Sequence, residues 1–179
     1  MIPVSSPVTP IQLTWVKSRI KGRHELTANG PILGSLQRVG FWRSVTQAEF
    51  KGKTWSFQRA GACTAILEEP GARPVAQFKA NWLGGGTLVF NDGESFQLTA
   101  KGFWRPVWFW IDSRGINLLE VIPYNKTVGI TAAAGPHAAF AHEWAESKLP
   151  VLIMFSWHQI LQTNDDAAAA AAISVTAAG

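Results

Sequence analysis

The segment Leu149–Leu161, LPVLIMFSWHQIL, constrains this chain more than any other. Wound as a helix, Val151 to Leu161 is apolar around nearly its whole circumference, interrupted by a thin stripe at Ser156, Gln159 and Thr163. A helix apolar on most sides must be enclosed on most sides. The run has 13 residues, including Ser156, His158 and Gln159, and falls short of the roughly 20 needed to span a bilayer. The enclosing partner is therefore expected to be protein. Ser147 is the expected N-cap, and Pro150 falls in the first turn, where its missing N–H costs nothing. Residues 149–165 would then reach roughly 25 Å. A preceding helix is expected from Pro136 to Ser147.

The material for the enclosure lies upstream. Apolar and polar residues alternate in Gln12–Lys17, Thr54–Gln58, Val75–Lys79, Thr87–Phe90, Ser95–Thr99, Val107–Ile111 and Leu118–Ile122, and Cys63–Leu67 also reads as a strand. Between them stand turn residues such as Asn29-Gly30, Lys51-Gly52-Lys53, Pro70-Gly71, Asp92-Gly93 and Ser113-Arg114-Gly115. Ten to twelve short strands with no helix among them exclude a parallel α/β sheet and indicate an antiparallel sandwich or barrel. A shift of 62 residues carries Gly40-Phe41-Trp42-Arg43 onto Gly102-Phe103-Trp104-Arg105, with eight identities in twenty positions across residues 26–45. Two copies are too few for a solenoid. They suit two half-barrels, residues 11–72 and 73–134, followed by a helical region at 136–166. The fold class expected is all-β, an antiparallel barrel of about twelve strands enclosing a central C-terminal helix. Residues 1–10 are expected to be flexible, and the alanine-rich tail 167–179 to be frayed or disordered, because short isolated helices are marginal in water.

Charge and composition narrow the function. The chain has 179 residues, the length of one domain, and 16% are charged. The single cysteine, Cys63, excludes an internal disulfide and a cysteine-based metal cluster and reads as a small buried residue. Residues 1–60 carry a net +7, residues 61–140 balance, and residues 141–179 carry −3. Met1–Pro10 lacks the basic and apolar regions of a secretory signal, so the expected location is cytoplasmic, with a peripheral place at the inner membrane surface as an option. No catalytic site assembles. His142-Glu143-Trp144-Ala145-Glu146 lacks the second histidine of a helical zinc motif, and His137 and His142 are five apart, off one face. His158 reads as a core histidine bonded to a carbonyl. Gly84-Gly85-Gly86 precedes a strand rather than a helix, so close backbone approach explains it better than phosphate binding. No metal or cofactor is expected.

One constellation rises above this background. Lys17, Arg19, Lys21 and Arg23 alternate, so in a strand all four project from one side, about 6.6–7 Å apart. They are the candidate anion- or lipid-binding residues. The same pattern also protects an edge strand from aggregation, and Gly22 could break it with a hairpin. Trp42 and Trp104, at matched positions of the repeat, are candidate exposed aromatic contacts; Trp15, Trp55, Trp82, Trp108, Trp110 and Trp157 belong in the core. Nucleic acid is disfavoured for want of a stacking platform or basic helix.

The two half-repeats of short strands, the apolar C-terminal helix, the Trp82–Phe90 segment, the Phe-Trp-Arg copies and the Trp157 helix ending at Asp165-Asp166 resemble the tubby C-terminal-like superfamily. This group includes tubby domains, phospholipid scramblases and LURP-one-related proteins; the resemblance over residues 10–166 is to its bacterial branch. It implies a twelve-stranded barrel around a helix and, in eukaryotic relatives, binding to phosphoinositides or membranes. No phosphoinositide-contacting residue is carried over. The reading is a non-enzymatic binding module for anionic phospholipid or a membrane-associated partner. The alternatives are an accessory subunit of a protein complex and, more remotely, a small-molecule enzyme using His24, His142 or His158.

Overall fold

A computed structural model describes residues 11–39, 45–81, 85–102, 104–130 and 141–177, with the backbone alone for residue 11 and for 141–145 and 170–177. Twelve antiparallel strands close into one barrel in which each strand pairs with its sequence neighbours and β1 (Ile11–Lys17) pairs with β12 (Thr127–Ile130). The others are β2 (Arg23–Thr27), β3 (Ile32–Val39), β4 (Val45–Phe50), β5 (Lys53–Ala60), β6 (Cys63–Glu69), β7 (Arg73–Ala80), β8 (Gly86–Phe90), β9 (Ser95–Lys101), β10 (Val107–Asp112) and β11 (Asn117–Ile122). Closure removes every sheet edge. The 62-residue shift that aligns the Phe-Trp-Arg copies also moves the bounds of β4 onto those of β10.

Alternation decides what faces inward. Leu13, Trp15, Leu26, Leu36, Ala48, Phe57, Ile66, Phe78, Leu88, Leu98, Trp110, Val121 and Val128 are buried, whereas the outward Gln47, Gln58, Gln77 and Gln97 are exposed. That is the reverse of a lipid-spanning barrel. An eight-stranded barrel is filled by its own side chains, and diameter grows with strand number. Twelve strands therefore leave a central space, and α1 (Ala141–Ala177) fills it. Pro150 through Ile160 are all buried, with Leu152, Met154 and Phe155 completely so.

Three expectations for the helix are corrected. It is continuous from Ala141, so Ser147 is not its N-cap and Pro150 lies in its interior. Proline removes the donor that would reach the carbonyl four residues back; that carbonyl, Glu146 O, instead accepts from Lys53 Nζ at 2.8 Å. Residues 149–165 are helical and reach the expected length of about 25 Å, but the buried stretch, residues 150–160, covers only about 16 Å of it, because tilted strands make a barrel shorter than their own length. The backbone of the alanine tract continues the same helix to Ala177, where a frayed tail was expected.

Of the polar stripe on the plug, Ser156 is met from the wall. Trp110 Nε1–H donates to Ser156 Oγ at 2.7 Å, and the Ser156 hydroxyl donates to Leu152 O at 2.6 Å. Ser156→Ala leaves a buried indole N–H without an acceptor and is expected to cost about 1–3 kcal/mol, read as a lowered urea midpoint. Gly85 and Gly86 are places of close approach. A Cβ would lie 2.2 Å from Leu98 O at the first and 2.4 Å from Lys79 O and Phe78 Cζ at the second. Cys63 is only partly buried at the start of β6, not the core residue expected.

Candidate functional site

Antiparallel connection sends every second turn to the same end of a barrel. The helix enters where the β4–β5 and β8–β9 turns lie: Lys148 pairs with Asp92 and Glu94 and sits 5.4 Å over the Phe90 ring. Burial works against the Lys148 charge, but the two carboxylates outweigh it and raise its pKa. The Lys148 hydrogen bond leads the interactions that hold Asp92 below the usual carboxylate range. The helix leaves at the opposite mouth, where Arg38 of β3 pairs with Asp165 and Arg59 of β5 bonds Asp166 at 3.0 Å.

This exit mouth gathers the positive charge of the chain. Lys17, Arg19, Lys21, Arg23, Arg38, Arg59, Lys79, Lys101, Arg105 and Lys126 lie at strand ends or turns on this side. Among the described residues, the acids on the same side are Glu25, Glu120, Asp165 and Asp166. At the entry mouth Glu49, Glu68, Glu69, Asp92, Glu94, Asp112 and Glu146 outnumber Lys51, Lys53, Arg73, Arg114 and Lys148. The exit rim also carries exposed apolar tips: Ile20 at 52%, Tyr124 at 50% and Trp104 at 90% exposure.

The four alternating cations are brought to this mouth, but not as one strand face. Lys17 closes β1, Arg23 opens β2, and Arg19 and Lys21 sit in the turn between them. Gly22 has φ +76°, and Arg23 N–H donates to Ile20 O at 3.1 Å, so the chain reverses where a straight strand was expected. Arg23 points outward and lies 3.5 Å from Glu25. Trp42 lies outside the described residues, as do Trp82 and His137.

Inside the mouth, Lys17 pairs with His24 across β1–β2, and His24 with Leu36 across β2–β3. Lys17, His24 and Arg38 therefore share the inner face with Trp15 and Leu36. The Trp15 and Trp157 rings stack with centroids 5.3 Å apart and planes 10° from parallel, and His24 lies 6.0 Å from Trp157, edge-on. Burial, then the charges of Lys17, Arg38 and Lys126, lowers the His24 pKa. Deeper in, His158 contacts Thr46 Oγ1 through Nδ1 at 3.0 Å, not a carbonyl as expected, and burial leads the effects that push its pKa down to about 3. No group of three or more metal-ligating side chains gathers among the described residues. What this mouth can do chemically is attract and hold anions. The sequence pattern exposed only its N-terminal members. Arg38, Arg59, Lys101, Arg105 and Lys126 are singletons along the chain, and their strand-end positions are the one signal that could have joined them.

Comparisons with protein-family models, curated proteins and solved structures find no match to this chain.

Proposed function

We propose that this protein is a non-enzymatic binding module that associates peripherally with an anionic lipid surface through its exit mouth. The observation that carries this reading is the gathering, among the described residues, of ten cations around one end of the barrel against four acids. Each basic residue near an anionic membrane contributes about 1 kcal/mol. Trp104 and Tyr124 add amphipathic rings of the kind favoured at a lipid–water interface. Residues 167–177 leave the same mouth without a single charge, so they do not repel such a surface. Among the described residues no helix is long and apolar enough to cross a membrane, so association from one side is the mode proposed. Membership of the tubby C-terminal-like superfamily, with two duplicated halves, belongs to the same proposal. Twelve strands around a C-terminal helix and the coincidence of β4 with β10 under the repeat shift support it.

Reversing Lys17, Arg19, Lys21 and Arg23 to glutamate is expected to weaken sedimentation with phosphatidylserine vesicles at least about a hundredfold. Binding should also fall as salt is raised. Wild-type protein that ignores these vesicles, or a reversed variant that sediments like wild type, would refute the proposal.

A further inference from the structure

The inner side of the exit mouth is built differently from its rim. Among the described residues the buried nitrogen donors without an acceptor include the Trp15 and Trp157 indole N–H groups, Arg38 Nη2 and Arg23 Nε. The Thr99 hydroxyl and His158 Nε2, farther from this quarter of the barrel, also lack a partner. Trp15 is 1% exposed and Trp157 4%, so bulk water does not serve them. A buried donor left unpaired is unfavourable, because it has given up its hydrogen bond to water and gained none. The two indoles and Arg38 belong to the neighbourhood of His24. Trp157 lies edge-on to its ring, Arg38 follows two residues after its partner Leu36, and Trp15 precedes Lys17, its other partner, by two. Lys126 is tied to the same place, its carbonyl accepting from Trp15 N–H at 2.7 Å. Asp165 takes one Arg38 nitrogen and leaves the other. The equivalent positions in the opposite half of the ring lack these side chains. Sixty-two residues beyond His24 and Arg38 stand Gly86 and Ala100.

We propose that the quarter of the mouth framed by Lys17, His24, Arg38 and Lys126, against the Trp15–Trp157 stack, binds a single phosphate-class oxyanion. Such an anion supplies acceptors where the site has unpaired donors, and negative charge where three cations crowd a neutral imidazole. Guanidinium and ammonium groups make their strongest hydrogen bonds to oxyanions of this kind. The site shares the exit mouth with the lipid reading and deepens it by naming the group recognised. A free phosphate compound and a lipid headgroup present the same chemistry.

The test is a titration of the full chain with inorganic phosphate, followed by the NMR signals of His24. The signals are expected to move saturably to one bound phosphate per chain, with the His24 pKa rising because the anion offsets Lys17, Arg38 and Lys126. Those three, with Arg23 and Glu25 on its own strand and Asp165 and Asp166 on the helix, are the charged groups nearest it on the elements packed around it. Chloride at equal ionic strength should not reproduce the change. Replacing both exposed lysines, Lys17→Gln with Lys126→Gln, should weaken phosphate at least about fivefold without touching the core. No saturation by about 10 mM, an equal response to chloride, or an unaffected double variant would overturn the site. Phosphatidic acid vesicles form the second arm. Movement of the same His24 signals assigns the oxyanion to a headgroup, and still signals assign it to a free phosphate compound; either result supports the site. The rim variant Arg19→Glu/Lys21→Glu separates the two proposals. Loss of vesicle sedimentation with phosphate binding intact leaves this site standing on its own. Intact sedimentation without phosphate saturation removes this site alone.

Discussion

Phe155→Ala is expected to lower the stability of the barrel by about 3–5 kcal/mol, close to the upper range for truncation of a buried aromatic. Phe155 is wholly buried at the middle of the plug, and four rings surround it: Phe57 at 5.3 Å, Phe78 at 4.9 Å, Trp110 at 6.4 Å and His158 at 5.4 Å between centroids. Three of these belong to wall strands β5, β7 and β10, which are held in position by hydrogen bonds all round a closed barrel. The wall therefore cannot collapse onto the space, and a cavity that cannot relax carries most of the cost. For a chain of this size the loss corresponds to a fall in Tm of about 10 °C. Urea unfolding followed by tryptophan fluorescence measures it, with Val89→Ala as the comparison. Val89 is 43% exposed on the outer face, where a change within about 0.5 kcal/mol is expected. If the two variants unfold alike, the helix is not the core of this protein.

Acid should loosen the protein well before its carboxylates titrate. His158 has its pKa pushed from the ordinary 6.5 to about 3, by burial first and then by the charges of Arg38 and Arg59. In the unfolded chain the imidazole takes a proton as pH drops through 6.5, while the folded chain refuses it down to about 3. The unfolded state then binds more protons, and stability declines by about 1.4 kcal/mol per pH unit across that window. Above pH 6.5 both states are neutral at this site and it adds no slope. His24, also lowered, contributes in the same direction. His158→Gln keeps a partner for Thr46 and cannot be protonated. It should flatten the decline between pH 6.5 and pH 4.5 by about 2–3 kcal/mol when denaturation midpoints are compared. A variant that keeps the wild-type slope would show that this histidine is not held neutral.

The plug and its enclosure were legible in the linear chain because both signals are local. The circumference of Val151–Leu161 and the alternation of Gln12–Lys17 or Val107–Ile111 are set by neighbouring residues. Several strands were not separately visible. Arg23–Thr27 and Val45–Phe50 have weaker alternation, and their pairing partners make them strands. The run from Lys17 to Arg23 misled for a related reason: its charges alternate as in a strand, yet Gly22 with a positive φ turns the chain back. The start of the helix was misplaced because proline at position 150 reads as a first-turn residue. Lys53, almost a hundred residues away, supplies a hydrogen bond to the carbonyl that the proline leaves open.

By itself, then, the order of amino acids determined a set of short antiparallel strands and an apolar helix that has to be hidden from water, and a barrel closed around that helix is the economical way to satisfy both. Tertiary structure alone decided the electrostatics of the two mouths. Arg38, Lys101 and Lys126 are far apart along the chain, and closure of an antiparallel barrel carries alternate strand ends to one rim. The same closure sets Arg38 and Arg59 against Asp165 and Asp166, and lays Trp15 on Trp157 beside His24. Burial patterns are written residue by residue, whereas a field is the sum of charges that only the folded chain brings within reach of one another.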